Sequence, residues 1–237
     1  AQGQTAARRP TPSRLLYSTN GPLLPASRLD TLTPVTDAML RNPPAGDWLT
    51  WRRTGANLGH SPLTQITKNN VEDLQLAWSW SLPDGPNMMT PIVHDGVLFA
   101  YSNQDVVQAF DAASGELLWG YQRELAPSSR PEAKKGVAIY EDKIVFGTTD
   151  IHLVALDAKT GRVAWDHAID TRGEDQFLYK TAPIIANGKA IIGLVGRQNV
   201  PGGNPILAVD MKTGKEAWRF YTVARPGEAG GEGWKGP

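Results

Sequence analysis

The sequence has no cysteine, and only 4 methionines and 4 histidines among 237 residues. Without thiols there are neither disulfides nor thiolate metal sites, and the redox compartment stays open. No apolar run approaches the roughly 18 to 20 residues that a bilayer-spanning helix needs. Net charge is missing too, since 24 Lys and Arg balance 24 Asp and Glu. Basic runs stop at two residues, in Arg8-Arg9, Arg52-Arg53 and Lys134-Lys135; such pairs read as solvated surface and argue against nucleic acid as a partner. The chain opens on Ala1-Gln2, as expected of an exported protein whose signal has been removed, although a piece trimmed from a longer chain would begin the same way. A hydrophobic content of 41% is enough for a sizeable core.

What the sequence does have is a sentence written three times: Ala109-Phe-Asp-Ala-Ala-Ser-Gly-Glu-Leu-Leu-Trp119, Ala155-Leu-Asp-Ala-Lys-Thr-Gly-Arg-Val-Ala-Trp165 and Ala208-Val-Asp-Met-Lys-Thr-Gly-Lys-Glu-Ala-Trp218. The tryptophans stand 46 and 53 residues apart, a period that fits one four-stranded propeller blade. Residues ahead of the aspartate suit a strand, and Asp-x-x-Ser/Thr-Gly suits a turn in which the carboxylate bonds its own backbone and glycine takes a left-handed conformation. The indole then needs a neighbouring blade to bury against. The aspartates Asp111, Asp157 and Asp210 are therefore structural.

The expected fold is all-β: a β-propeller of Trp-docking repeats, about three blades of which lie in this chain. Residues 1–70 read as an extended arm followed by a face-crossing segment, with a short helix at Thr36 to Arg41. Residues 71–237 read as a partial propeller with blades at about 82–123, 136–170 and 181–223. A leading strand is expected from Leu74 to Ser81, and Asp95-Gly96 and Asn187-Gly188 read as hairpin turns. Three blades and one strand do not close a ring, so the remaining blades must come from the same or another chain.

The repeats and their flanks resemble the N-terminal part of the pyrroloquinoline quinone (PQQ) dependent alcohol dehydrogenases of the methanol/ethanol quinoprotein family. The resemblance is carried by Val35-Thr-Asp-Ala-Met-Leu40, Asp47-Trp48-Leu49, Ser61-Pro-Leu-Thr-Gln-Ile66, Leu76-Ala-Trp78, Thr90-Pro-Ile-Val-His-Asp-Gly-Val97, the three Trp repeats, and Trp218-Arg-Phe-Tyr-Thr-Val223. It implies an eight-bladed propeller in the complete protein and a periplasmic or secreted location. It also implies PQQ with a calcium or lanthanide ion on the axis, an alcohol substrate, and a cytochrome c-type electron acceptor. The catalytic base is expected outside this chain.

The positions that the family uses for its cofactor differ here. Met88 stands where the family has a glutamate, Ser128-Ser129 where it has a vicinal cysteine pair, Lys135 where it has arginine, and Lys180 where it has threonine. The family's Ser-Gly-Ala-Glu run, which includes a metal carboxylate, becomes Val195-Gly196-Arg197-Gln198. The resemblance thus nominates Lys135, Lys180, Gly196, Arg197 and Trp234 for the cofactor and Gln198 for the metal. Two readings stay open. Cationic side chains suit the tricarboxylate PQQ in a rebuilt site, or the propeller is a cofactor-free structural or interaction subunit. Gly231-Glu-Gly-Trp-Lys-Gly236 matches a dinucleotide fingerprint but lacks its strand and helix context. His60, His94, His152 and His167 show no metal-ligand spacing, and Met88-Met89 reads as gap filling.

Overall fold

A computed structural model describes residues 28–130, 132–171, 177–196, 203–224, 227–228 and 230–233. Each repeat forms the outer half of a four-stranded antiparallel sheet. The first blade is β1 (Ile92–His94), β2 (Val97–Ser102), β3 (Val106–Asp111) and β4 (Leu117–Gln122). The second is β5 (Ala138–Tyr140), β6 (Lys143–Gly147), β7 (His152–Asp157) and β8 (Val163–Ala168). A short strand β9 (Phe177–Leu178) precedes the third blade, which comprises β10 (Ile184–Ala186), β11 (Lys189–Gly193), β13 (Pro205–Asp210) and β14 (Glu216–Tyr221). Strand β12 (Val195–Gly196) pairs with β9 in a separate ribbon that the sequence reading does not contain.

The repeat explains its own geometry. Ala109, Ala155 and Ala208 lie directly across from Trp119, Trp165 and Trp218, and the register slips immediately after each alanine. A bulge at this point bends the outer strand, and the small side chain leaves room beside the indole. In each turn the aspartate Oδ1 accepts two backbone N–H groups. For Asp157 these come from Lys159 at 3.1 Å and Thr160 at 2.8 Å. Asp111 and Asp210 repeat the arrangement. The backbone N–H of Ser114 leads the groups that hold the Asp111 carboxyl below its ordinary range.

Trp78, Trp119 and Trp165 each dock on the blade that follows. Trp78 Nε1 donates to Ala112 O at 3.1 Å, Trp119 Nε1 to Ala158 O at 2.9 Å, and Trp165 Nε1 to Met211 O at 3.0 Å. The repeat glycine is required twice over. Gly161 has φ +69°, and a Cβ there would lie 2.6 Å from the Trp119 ring. Gly115 and Gly214 stand in the same relation to Trp78 and Trp165.

Apolar burial lies between successive sheets. From the middle blade, Ile144, Phe146, Val154 and Leu156 pack toward the first blade, whereas Val145, Leu153 and Ala155 pack toward the third. This two-residue alternation accounts for the continuous apolar runs of β6 and β7, which are covered on both faces. The outer strands β8 and β14 are mostly exposed.

The arm closes one end of this stack. Helix α1 (Arg28–Thr31) leads to α2 (Asp37–Arg41), whose N-cap Thr36 accepts from Met39 N at 3.3 Å. Val35 bridges to Glu141 and Trp48 to Val93, with Leu29, Leu32, Val35 and Leu49 buried in the first core cluster. The hairpin turns at this end match the expected ones, with Asp95, Gly96, Asn187 and Gly188 all at positive φ.

The stretch read as a strand from Leu74 to Ser81 is not one. It has no ladder partner and Leu74 and Leu76 are exposed, yet Trp78 still docks on the first blade. A strand is defined by pairing, and the sheet that would pair with this segment is not among the described residues.

Candidate functional site

The end opposite the arm is where the chain enters each innermost strand. Three lead-in segments run side by side there. Thr90 N donates to Lys135 O at 3.0 Å, and Lys135 N donates to Lys180 O at 3.1 Å. Thr90 and Gly136 form a parallel bridge. Gly136 makes the approach feasible: its φ is +149°, and a Cβ would lie 3.0 Å from Thr90 O. Residues 45 apart in sequence, Lys135 and Lys180, thereby occupy adjacent rungs of one row.

The two nominated lysines differ in their surroundings. The Lys135 side chain is exposed. Lys180 Nζ lies 3.0 Å from Glu132 Oε2, a partner on the second blade's own lead-in. Gly196 sits in β12 across from Phe177, and its N–H donates to Asn204 Oδ1 at 2.9 Å. Arg197, Gln198 and Trp234 lie outside the described residues. Met88 is 63% exposed, and Ser128-Ser129 lie in a turn closed by Ser129 N donating to Ala126 O.

One expectation is corrected here. The Lys134-Lys135 pair read as solvated surface, but Lys134 is only 4% exposed. Its Nζ donates to Tyr179 O at 2.9 Å and lies 4.0 Å from Asp105 Oδ1. Burial pushes the Lys134 ammonium down from its ordinary pKa, against the pull of Asp105 and Glu132. Asp105 is itself wholly buried. Its Oδ1 accepts from Tyr101 Oη at 2.7 Å and Thr149 Oγ1 at 3.0 Å, and its Oδ2 from Thr149 N at 2.5 Å. Neighbouring Gln104 and Asp105 both have left-handed backbones, at φ 63° and 53°, which carries strain for residues with a Cβ. Alternation of charge along the chain gives no hint of this pair; the one available signal was an aspartate in a non-glycine loop just before an apolar strand.

Further out at the same end, Arg123 joins two carboxylates: Nε lies 2.7 Å from Asp150 Oδ1, and Nη1 lies 2.8 Å from Asp166 Oδ2. His152 Nδ1 completes the group at 2.6 Å from Asp166 Oδ1. Burial would raise the Asp150 and Asp166 pKa values, but the hydrogen bonds and charge of Arg123, joined by Thr148 at Asp150 and by His152 at both, together outweigh it and both are lowered.

At the arm end, Asp47, His94 and Asp95 bring three ligand-type atoms within 4.8 Å of one another. The His94 ring is committed to protein oxygens on both sides, with Nδ1 2.7 Å from Asp47 Oδ2 and Nε2 2.8 Å from Thr33 O. Asp95 Oδ2 also accepts from Thr33 N at 2.8 Å. This cluster is a seam that joins the arm to the first hairpin turn.

The architecture and the row of lead-ins can be set beside known proteins. Residues 48–236 match the family described as PQQ, glucose/ethanol/alcohol dehydrogenase, beta-propeller domain. Quinohemoprotein alcohol dehydrogenase ADH-IIG of Pseudomonas putida is 41% identical over 191 residues, covering 77% of this chain and 26% of that protein. The dehydrogenase subunit of a quinone-linked alcohol dehydrogenase of Gluconacetobacter polyoxogenes is 38% identical over 192 residues, 76% of this chain and 26% of its own length. Among solved structures, the quinohemoprotein alcohol dehydrogenase ADHIIG of Pseudomonas putida HK5 superposes with a TM-score of 0.69 at 36% identity, over 81% of this chain and 29% of that one. The chain therefore spans about a quarter of the length of these relatives, and by repeat, fold and sequence it belongs to the PQQ-dependent alcohol dehydrogenase β-propeller family.

Proposed function

We propose that the complete protein is a PQQ-dependent dehydrogenase that oxidises an alcohol to an aldehyde or ketone, and that this chain supplies its first blades and one wall of a divergent cofactor site. The observation that carries this is the hydrogen-bonded row of lead-ins, which sets the Lys135 and Lys180 cations on adjacent rungs at one end of the innermost strands. When bound, PQQ supplies a quinone that takes two electrons from the alcohol. The chain's part is to bind and orient it. Two ammonium groups in a row suit a planar ligand with three carboxylates, since charge-assisted hydrogen bonds are the stronger kind.

Arg197 would add a guanidinium to the same wall, Gly196 would allow close approach of the main chain, and Trp234 would pack on the ring. Gln198 offers an amide oxygen to a calcium or lanthanide ion. Because a hard cation prefers anionic oxygens, the carboxylate ligands and the catalytic base are assigned to the remaining blades. A cytochrome c-type electron acceptor, supported by the haem in the name of the Pseudomonas relative, and a periplasmic or secreted location belong to the same proposal. No helix among the described residues is long and apolar enough to cross a membrane.

One contact favours the second reading, a cofactor-free propeller serving as a structural or interaction subunit: Glu132 already neutralises Lys180 at 3.0 Å. The two readings separate on one experiment. The complete protein, incubated with PQQ and Ca2+ and freed of unbound ligand, is denatured and its released quinone measured by mass spectrometry. About one PQQ per propeller supports the enzyme, with uptake weakened by Lys135→Ala and by Lys180→Ala. No retained PQQ, in protein that is folded, overturns it in favour of the subunit.

A further inference from the structure

The buried pair Asp105 and Lys134 lies directly behind the Lys135 and Lys180 row, and four elements from three blades meet on it. Asp105 comes from the β2–β3 connection and Thr149 from the β6–β7 connection. Lys134 lies on the lead-in to β5, and Tyr179 on the lead-in to β10. The Tyr101 hydroxyl hydrogen is shared between Asp105 Oδ1 and Gly147 O, both at 2.7 Å.

Removing two charges from water gains little stability, and well-packed apolar residues would commonly do as well. What a buried pair tied to three blades does supply is a fixed geometry. Lys134 holds the carbonyl of Tyr179, one residue before Lys180, while the backbone N–H of Lys135 holds the carbonyl of Lys180 itself. Two successive residues of one lead-in thus grip two successive residues of the next. The strained left-handed backbone at Gln104 and Asp105 aims the carboxylate inward at this grip, and strain of that kind persists only where its surroundings enforce it.

We infer that Asp105 and Lys134 are positioning residues of the cofactor face: through Tyr179 O they fix the offset between the Lys135 and Lys180 rungs, and so the spacing of the cations that receive the carboxylates of the cofactor. The inference rests on the cofactor reading above. Neither residue touches the ligand.

The test uses the complete protein and equilibrium dialysis of PQQ at saturating Ca2+, combined with a double-mutant cycle. Lys134→Met is expected to raise the PQQ dissociation constant about tenfold, the scale of one hydrogen bond to a charged group. In a Lys180→Ala background the same substitution should change it by less than about twofold, because groups acting through one another are not additive. Asp105→Asn, which keeps the side-chain shape, should reproduce the pattern and serves if Lys134→Met does not fold. Variants with a lowered melting temperature but an unchanged dissociation constant, or with effects that add in full to Lys180→Ala, overturn the positioning role while leaving the cofactor reading intact. Parent protein that takes up no PQQ overturns both.

Discussion

The two ends of the blades are built on opposite plans. At the arm end every blade repeats the same parts: an aspartate that caps its own turn, a left-handed glycine, and a carbonyl that receives the indole of the preceding blade. At the other end no one pattern runs through all three blades. The three lead-ins read Met88-Met-Thr90, Lys134-Lys-Gly136 and Tyr179-Lys-Thr181, although their backbones join in one continuous row. Interactions that hold blade to blade must be made again at each joint and so recur. A ligand bound at that end, as proposed, would meet each blade from a different side, so the residues facing it need not resemble each other.

This contrast can be broken first at a joint. Trp119→Ala removes a fully buried indole together with its hydrogen bond to Ala158 O, and a loss of about 3–5 kcal/mol is expected. Denaturant unfolding of the complete protein measures it, and Gly161→Ala should shift the transition the same way, by backbone strain and by collision with the same ring. A loss below about 1 kcal/mol for both would mean that the joints are not what holds the blades together.

Lys135→Ala should show the reverse signature. Its side chain is exposed, so stability should stay within about 0.5 kcal/mol, while PQQ affinity falls by a charge-assisted hydrogen bond, about 1.5–3 kcal/mol. Isothermal titration against the parent reads both the affinity and, with a melt, the stability. Asp157→Ala returns to the arm end with a smaller effect. It frees two backbone donors and the Thr160 hydroxyl, and about 1 kcal/mol of stability is expected to go, with no change in PQQ affinity.

The smallest effect concerns acid. Asp150 and Asp166 have lowered pKa values in the folded chain, so their contribution is complete above the ordinary carboxylate pKa of about 4 and disappears as pH falls through that value and the folded one below it. The pair is about a third exposed and screened by solvent, which limits it to well under about 1 kcal/mol. Melting curves between neutral pH and pH 3 should therefore show a shallower acid decline for Asp150→Asn than for the parent. A decline unchanged in slope would assign the acid sensitivity to other carboxylates.

How much was legible in the sequence follows the same division. The joints were, because a turn aspartate, a left-handed glycine and an indole each leave a residue-type signature that three copies amplify. The alanine opposite each tryptophan was visible as a pattern, but its pairing and bulge appear only in the register. The segment from Leu74 to Ser81 has strand composition yet depends on a partner for strand form. The two-residue ribbon of β9 and β12 is too short to leave any periodicity. At the site, Lys135 and Lys180 were reached through the family resemblance, whereas Lys134 was lost among surface charges. Burial of a lysine depends on partners 29 and 45 residues away, Asp105 and Tyr179, and local composition does not encode them.

The hand-off from Trp78 to the first blade, Trp119 to the second and Trp165 to the third gives every blade a plug on its outer strand and a socket in its turn. Trp218 carries the next plug and is 42% exposed. Joints of this sort have a direction: a blade turned end for end would offer plug to plug. They also set the unit in which such a chain can grow or shrink. Duplicating or deleting one whole repeat leaves each plug with a socket, and the unequal spacings of 46 and 53 residues show that the loops between them vary freely; losing a plug or a socket alone strands an indole in water or leaves a glycine uncovered, so the stack is countable in blades.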